Sequence, residues 1–334
     1  MTVDTVMLLA VGLVLGVAVP YLGMRMLVPS LRLAEKSRAI NYRGRSVFYG
    51  LGVVWLLWAG CAIVGGIASA SLVSQSILPV LTLAGPLALV AFALGVVDDA
   101  YGSGSDRGFK GHLKALAHGR LTTGGMKLVG IGLASLVVAG ILRDISPWGA
   151  VTETGTGAFG TTVIMTLVAG ATIALSSNLF NLLDLRPGRA LKTYLVMGPF
   201  AIASVVLGLA GAAGRLPAPG AGDLAVDAVV LGLFLLGPLL AVFVYDLGEE
   251  GMLGDAGANP MGAVIGMFMV AGLSPALLVA WALLLLALNL ASERVSFSAV
   301  IEKNRALAWL DGLGRRADLP EGGEIDDATG ASDR

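Results

Sequence analysis

Ile77–Val97 reads ILPVLTLAGPLALVAFALGVV and is followed at once by Asp98 and Asp99. Its 21 residues carry no charge. At about 1.5 Å per residue they make a helix of about 31 Å, the thickness of the hydrocarbon layer of a bilayer. Such a segment can cross a membrane once. Working outward, similar apolar runs lie near 5–24, 47–68, 126–142, 159–177, 193–212, 224–245, 259–273 and 276–291. The pattern predicts an all-α, polytopic membrane helix bundle with about nine spans over residues 1–291.

Composition points the same way. Of 334 residues, 56% are hydrophobic and 13% charged, against roughly a quarter charged in an ordinary soluble domain. The net charge of -1 provides no overall basic field of the kind that recruits nucleic acid. Cys61 is the single cysteine, so no intrachain disulfide and no thiolate zinc site is expected. The first apolar run has no basic residue ahead of it and is followed by Arg25, Arg32, Lys36 and Arg38. A signal peptide has the opposite charge order, so a retained first span is expected.

The basic residues orient the bundle. Counted over alternate loops, 20 of the 22 Lys and Arg fall on one side and only Arg143 and Arg215 on the other. By the positive-inside rule the richer side is cytoplasmic, which puts the N-terminus outside and the C-terminus in the cytoplasm. After the last span, residues 292–316 mix Phe297, Val300, Ile301, Trp309, Leu310 and Leu313 with charges, as in a helix lying at the membrane surface. Residues 317–334 are small and acidic, and a disordered tail is expected there.

Carboxylates in such a chain call for an explanation, because one at the bilayer centre costs about 2.5–3.5 kcal/mol. The pair Asp98 and Asp99 ends the third span. Asn178, Asn181 and Asp184, three residues apart in SNLFNLLDLRPGR, share one helix face at the end of the fifth. Asp246, Glu249, Glu250 and Asp255 follow the seventh, in a loop without a base. By parity all three clusters reach the same membrane face. Taken singly, each could be helix-ending Asp and Asn. Together, with Gly254 and Gly257 beside Asp255, they suit Mg²⁺, or Mn²⁺ in its place, held by carboxylates and phosphate oxygens. Lys110 and Lys114, Arg186 and Arg189, and Arg43 and Arg45 lie alongside and complete a diphosphate-type site. His112 and His118 fit a short interfacial helix, and the chain contains no Walker loop and no dinucleotide fingerprint.

GVVDDAYG, NLFNLLD and MLGDAGANPMG, in this order and span parity, resemble the polyprenyl-phosphate N-acetylhexosamine-1-phosphate transferases, which include phospho-N-acetylmuramoyl-pentapeptide transferase. The resemblance implies a multi-pass protein of the bacterial plasma membrane. It would transfer a sugar 1-phosphate from a UDP-sugar to polyprenyl phosphate at the cytoplasmic face, releasing UMP in a Mg²⁺-dependent reaction of cell-envelope glycan synthesis. By position, Asp98, Asp99 and Asp184 would be catalytic, Asp255 and Asp99 would ligate the metal, and Asn178 and Asn181 would line the nucleotide-sugar site. Arg43, Arg45, Lys110, Arg186 and Arg189 would help bind substrate. Membrane lipids are expected neighbours, and a homodimer is compatible with the resemblance.

Three departures from that pattern stand out. Pro187 replaces the acid that usually follows Asp184, the histidine-rich loop after the ninth span is missing, and the usual Pro-Thr-x-Gly-Gly stretch is reduced to Arg45–Tyr49 before Gly50. They leave a non-catalytic homologue that binds polyprenyl lipid or scaffolds a complex as the alternative. A transporter is disfavoured, because its carboxylates should lie near the membrane midplane.

Overall fold

The computed structural model describes residues 2–34, 37–73, 76–102, 108–152, 158–211 and 221–316. Two helices, α1 (Val3–Val11) and α2 (Val19–Leu33), join through a π-helical stretch, Gly12–Ala18, into one continuous helix. Strands β1 (Arg38–Ile40) and β2 (Ser46–Tyr49) follow. Next come α3 (Val54–Leu72), α4 (Leu81–Tyr101), the short α5 (Gly108–Ala117), α6 (Thr123–Leu142), α7 (Ala158–Leu183), α8 (Arg189–Gly211) and α9 (Ala221–Leu247). The chain then forms β3 (Gly251–Met252), α10 (Asp255–Gly272), α11 (Pro275–Ser292), α12 (Phe297–Lys303) and α13 (Arg305–Gly312). Among the described residues, eight helical segments are long and apolar enough to cross a membrane. The protein is a polytopic helical bundle.

Helix α10 runs through its centre. Every residue from Ala256 to Gly272 is buried. Small residues allow this: a Cβ on Gly262 would lie 2.4 Å from the carbonyl oxygen of Ser176 in α7, and one on Gly208 in α8 would lie 2.0 Å from that of Gly272. Close backbone approach of this kind replaces large side chains where helices pack within lipid. Around the centre, Trp55 packs edge-on against Trp58 and Tyr194, and Tyr194 packs edge-on against Phe180. Pro238 in α9 has no N–H to give the carbonyl of Phe234, one turn back. The indole of Trp58 donates to that carbonyl instead, at 2.7 Å. Trp148 likewise donates to Val270, in the last turn of α10, at 3.0 Å.

The strands were not expected. Val47 and Phe48, taken above as the start of a span, lie in β2, which pairs antiparallel with β1 and parallel with β3. The intervening turn is fastened by the Asn41 side chain, whose Oδ1 accepts from the N–H of both Arg43 and Arg45 at 2.9 Å. Val47 and Phe48 are apolar because they are buried at one end of the bundle. The surface helix expected over 292–316 is two short helices. Asn304 breaks the chain between them and caps α13, accepting from Ala306 and Leu307 at 3.1 Å. Residues 317–334 lie outside the described part.

Candidate functional site

Asp98 and Asp99 occupy the last turn of α4, and as successive helical residues they point about 100° apart, toward different neighbours. Asp99 faces the start of α10. Its Oδ1 accepts from the N–H of Asp255 at 3.0 Å and its Oδ2 from that of Ala256 at 2.9 Å. A carboxylate here meets the unpaired N–H groups and the positive end of the helix dipole. The Tyr49 hydroxyl, from β2, also bonds to Asp99; burial first and then the Asp99 charge push this phenol upward. Gly254, with φ of 64°, makes the bend into α10, and a Cβ there would lie 2.0 Å from the Tyr49 oxygen.

Asp98 faces Lys127. The Lys127 Nζ lies 3.0 Å from Asp98 Oδ2 and also donates to Asp255 Oδ2. The three side chains are 12%, 18% and 20% exposed for Lys127, Asp98 and Asp255. Two carboxyl groups thus share one ammonium in a largely dry setting. Lys127 starts one turn inside α6, so its methylene stem packs among helices while its head reaches their ends.

Asp184 follows the last residue of α7 and accepts from the N–H of Gly254. Burial, and then the carboxylates of Asp246, Asp255 and Asp99, hold its carboxyl well above the ordinary range. The neighbouring acids tie loops together. Asp246 accepts from the N–H of Gly188 at 2.5 Å, and Glu249 accepts from Asn41 at 2.9 Å and Tyr42 at 3.2 Å and pairs with the Arg43 guanidinium at 3.1 Å. All four predicted aspartates, Asp98, Asp99, Asp184 and Asp255, therefore gather around residues 254–256.

Beside Lys127 opens a cavity of about 320 Å³ between α6, α7, α10 and α11. Its polar side chains sit at or near the helix ends: Lys127, Ser177, Asn178, Asn181, Asn259, Asn289, Ser292 and the carboxylate of Glu293. Leu128, Ile131, Ala174, Leu175, Leu286 and Leu290 supply apolar wall. Asn178 donates to Asn289 Oδ1 at 2.7 Å, and Asn289 donates to the carbonyls of Leu175 and Leu285. Asn259 is 1% exposed, and its Nδ2 has no hydrogen-bond partner. An unpaired buried amide on a cavity wall is an available donor for whatever fills the cavity.

The arginines are placed otherwise than expected. Arg189 is buried, with Nε and Nη2 on the two oxygens of Asp311 in α13 and Nη1 on Ser298 Oγ in α12. Its donors thus face protein partners. Arg186 bonds to Glu302 at 2.9 Å and stacks over the Tyr42 ring. Arg43 is turned to Glu249, while Arg45 keeps one buried guanidinium nitrogen without a partner. The Lys110 side chain lies outside the described residues.

Sequence reasoning missed Lys127, Tyr49, Asn259 and Asn289. Lys127 had a signal, because it stands five residues beyond the natural Thr122 cap and so inside a span. No family model matches the chain, and no curated protein shows significant similarity to it.

Among the described residues no three His, Cys, Asp or Glu side chains form a closed metal cage. Mg²⁺ needs none, since it usually takes one or two carboxylates and completes its shell with water and substrate phosphate. Asp98 and Asp255 supply two hard anionic groups already gathered about one cation, and they fit that role.

Proposed function

We propose that this protein is a membrane phosphotransferase that moves a sugar 1-phosphate from a UDP-sugar to a polyprenyl phosphate, with its active face in the cytoplasm. The reading takes α10 as a ninth span, with the N-terminus outside. One observation carries it: Lys127, whose ammonium lies between Asp98 and Asp255, lines a cavity whose walls are otherwise largely apolar. Such a site suits an anionic head attached to a hydrocarbon chain.

In the proposed reaction an oxygen of the lipid phosphate bonds to the β-phosphorus of the UDP-sugar. The bond from that phosphorus to the bridging oxygen breaks, and UMP leaves. The attacking oxygen is already anionic, so no strong base is needed; the task is to bring two anions together in line. Asp98 and Asp255 would hold Mg²⁺, which when bound supplies charge neutralisation to the diphosphate. Lys127 supplies a positive charge of its own and keeps the two carboxylates close. Asp99, Tyr49 and the Gly254 bend fix the position of Asp255, so Asp99 acts through Asp255 and α10. Asn259 offers its amide to the ligand, and Leu286 and Leu290 offer apolar surface to the chain.

The test is release of UMP by the purified protein from a panel of UDP-sugars. Release that requires both polyprenyl phosphate and Mg²⁺ supports the reading. Absence of release across the panel, with polyprenyl phosphate still bound, overturns it in favour of a non-catalytic lipid-binding protein.

A further inference from the structure

The last two helices are fastened to the bundle on one side and open on the other. On the fastened side, Arg189 grips Asp311 through two bonds of 2.8 and 2.9 Å, and Lys192 donates to the carbonyls of Leu310 and Asp311 at 3.1 and 2.5 Å. Arg315 donates to Asp311 and to the carbonyl of Pro187, both at 2.8 Å. Because Arg189 and Lys192 open α8, α13 is held at the level where that apolar helix ends. The chain enters α12 only four residues after α11, another helix long and apolar enough to span, comes to its end at Ser292.

The open side is apolar. Trp309, Leu310 and Leu313 are 68%, 43% and 51% exposed. At about 100° per residue they fall within a quarter to a third of the α13 circumference, with Asp311 on the far side. Residues 293–316 hold five basic side chains and three acids, and two of the acids, Glu302 and Asp311, are bound to Arg186 and Arg189 of the bundle. Lys303 and Arg305, exposed beside the apolar row, leave this edge positive.

We propose that the exposed face of α12–α13 docks on the anionic lipid surface at the end of the bundle, with the Trp309 ring at headgroup depth. The inference requires only that the bundle spans a membrane and is independent of the proposed transferase reaction. Three observations select lipid as the occupant. The helices are fixed at the ends of apolar helices, where the headgroups of a bilayer begin. The row combines an exposed Trp with Leu, the composition that favours the interfacial zone. The surrounding charge is positive, which complements an anionic leaflet. Since Arg315 also bonds to Pro187, docking would hold the 184–189 loop, and with it Asp184, at a set height above the membrane.

The experiment uses the full chain in vesicles of phosphatidylcholine, with and without phosphatidylglycerol. The Trp309 emission is taken as the difference between the parent and Trp309→Phe, a change at an exposed ring that leaves the bundle intact. Phosphatidylcholine brominated near the headgroup should quench this emission at least about twofold, iodide in the water should quench it little, and phosphatidylglycerol should strengthen both effects. Lys303→Glu with Arg305→Glu should remove the phosphatidylglycerol effect. Quenching by iodide but not by brominated lipid would overturn the proposal. Protection from both quenchers, together with a dimer by light scattering, would also overturn it and assign the face to a second copy of this chain.

Discussion

Replacing Lys127 by Met tests the cluster of Asp98, Lys127 and Asp255, because the stem is kept and only the ammonium is lost. In the parent that ammonium lies between Asp98 and Asp255, with all three groups no more than 20% exposed. Removing one partner of a fully buried ion pair costs about 3–5 kcal/mol, mostly by leaving the other charge unpaired. With the residual exposure of this group, roughly 2–3 kcal/mol is expected for Lys127→Met in chelator. At about 2 °C per kcal/mol for a chain of this size, the unfolding midpoint in detergent should fall by about 4 °C or more. Magnesium should then return much of the loss, since a ligand at about 100 times its Kd contributes about 2.7 kcal/mol. The gain should be larger in the variant than in the parent, where Lys127 competes for the same oxygens. Thermal unfolding of both proteins in chelator and in Mg²⁺ gives the four midpoints. An unchanged midpoint for Lys127→Met in chelator, or an equal Mg²⁺ effect in both proteins, would refute the reasoning.

Gly254→Ala places a Cβ against the Tyr49 ring at φ of 64°, and overpacking with an unfavourable φ should lower stability by about 2–4 kcal/mol; an unchanged thermal midpoint would contradict this. Acid should release α13. Burial acts to raise the Asp311 carboxyl, but the bonds from Arg189 and charge from Arg315 outweigh it and hold the group below its ordinary value. Its contribution is therefore complete above the unfolded value of about 3.9 and lost as pH falls through the lowered folded value. Proteolysis between 293 and 316 should accelerate below about pH 4 in the parent, whereas Asp311→Asn should be cleaved quickly at neutral pH as well. Equal cleavage of the two proteins at neutral pH would exclude the clamp.

The bundle was legible because membrane spans are written in long uncharged runs, and Leu81–Tyr101 falls on the quoted stretch within a few residues. The convergence of Asp98, Asp184 and Asp255 was legible from parity alone, since each follows an odd span and must reach the same face. What side chains do after they arrive was not. Asp98 and Asp99 are adjacent and chemically identical, and only the orientation of α4 against α10 gives one to Lys127 and the other to a helix N-terminus. Arg189 looked available for phosphate because Asp311, its partner, lies 122 residues later in the chain. The sheet escaped because Val47 and Phe48 continue an apolar run, and a run of that length does not separate a short buried strand from the start of a helix.

The proposed phosphoryl transfer at Asp98 and Asp255 can be tested by following the phosphorus. The purified protein is incubated with Mg²⁺, polyprenyl phosphate and a UDP-sugar labelled at its β-phosphorus. The label is predicted to pass into the organic-soluble lipid with release of unlabelled UMP, and Asp255→Asn should abolish this while keeping the stability within about 1 kcal/mol of the parent. Label appearing only as water-soluble sugar phosphate, or transfer undiminished in Asp255→Asn, would contradict the account.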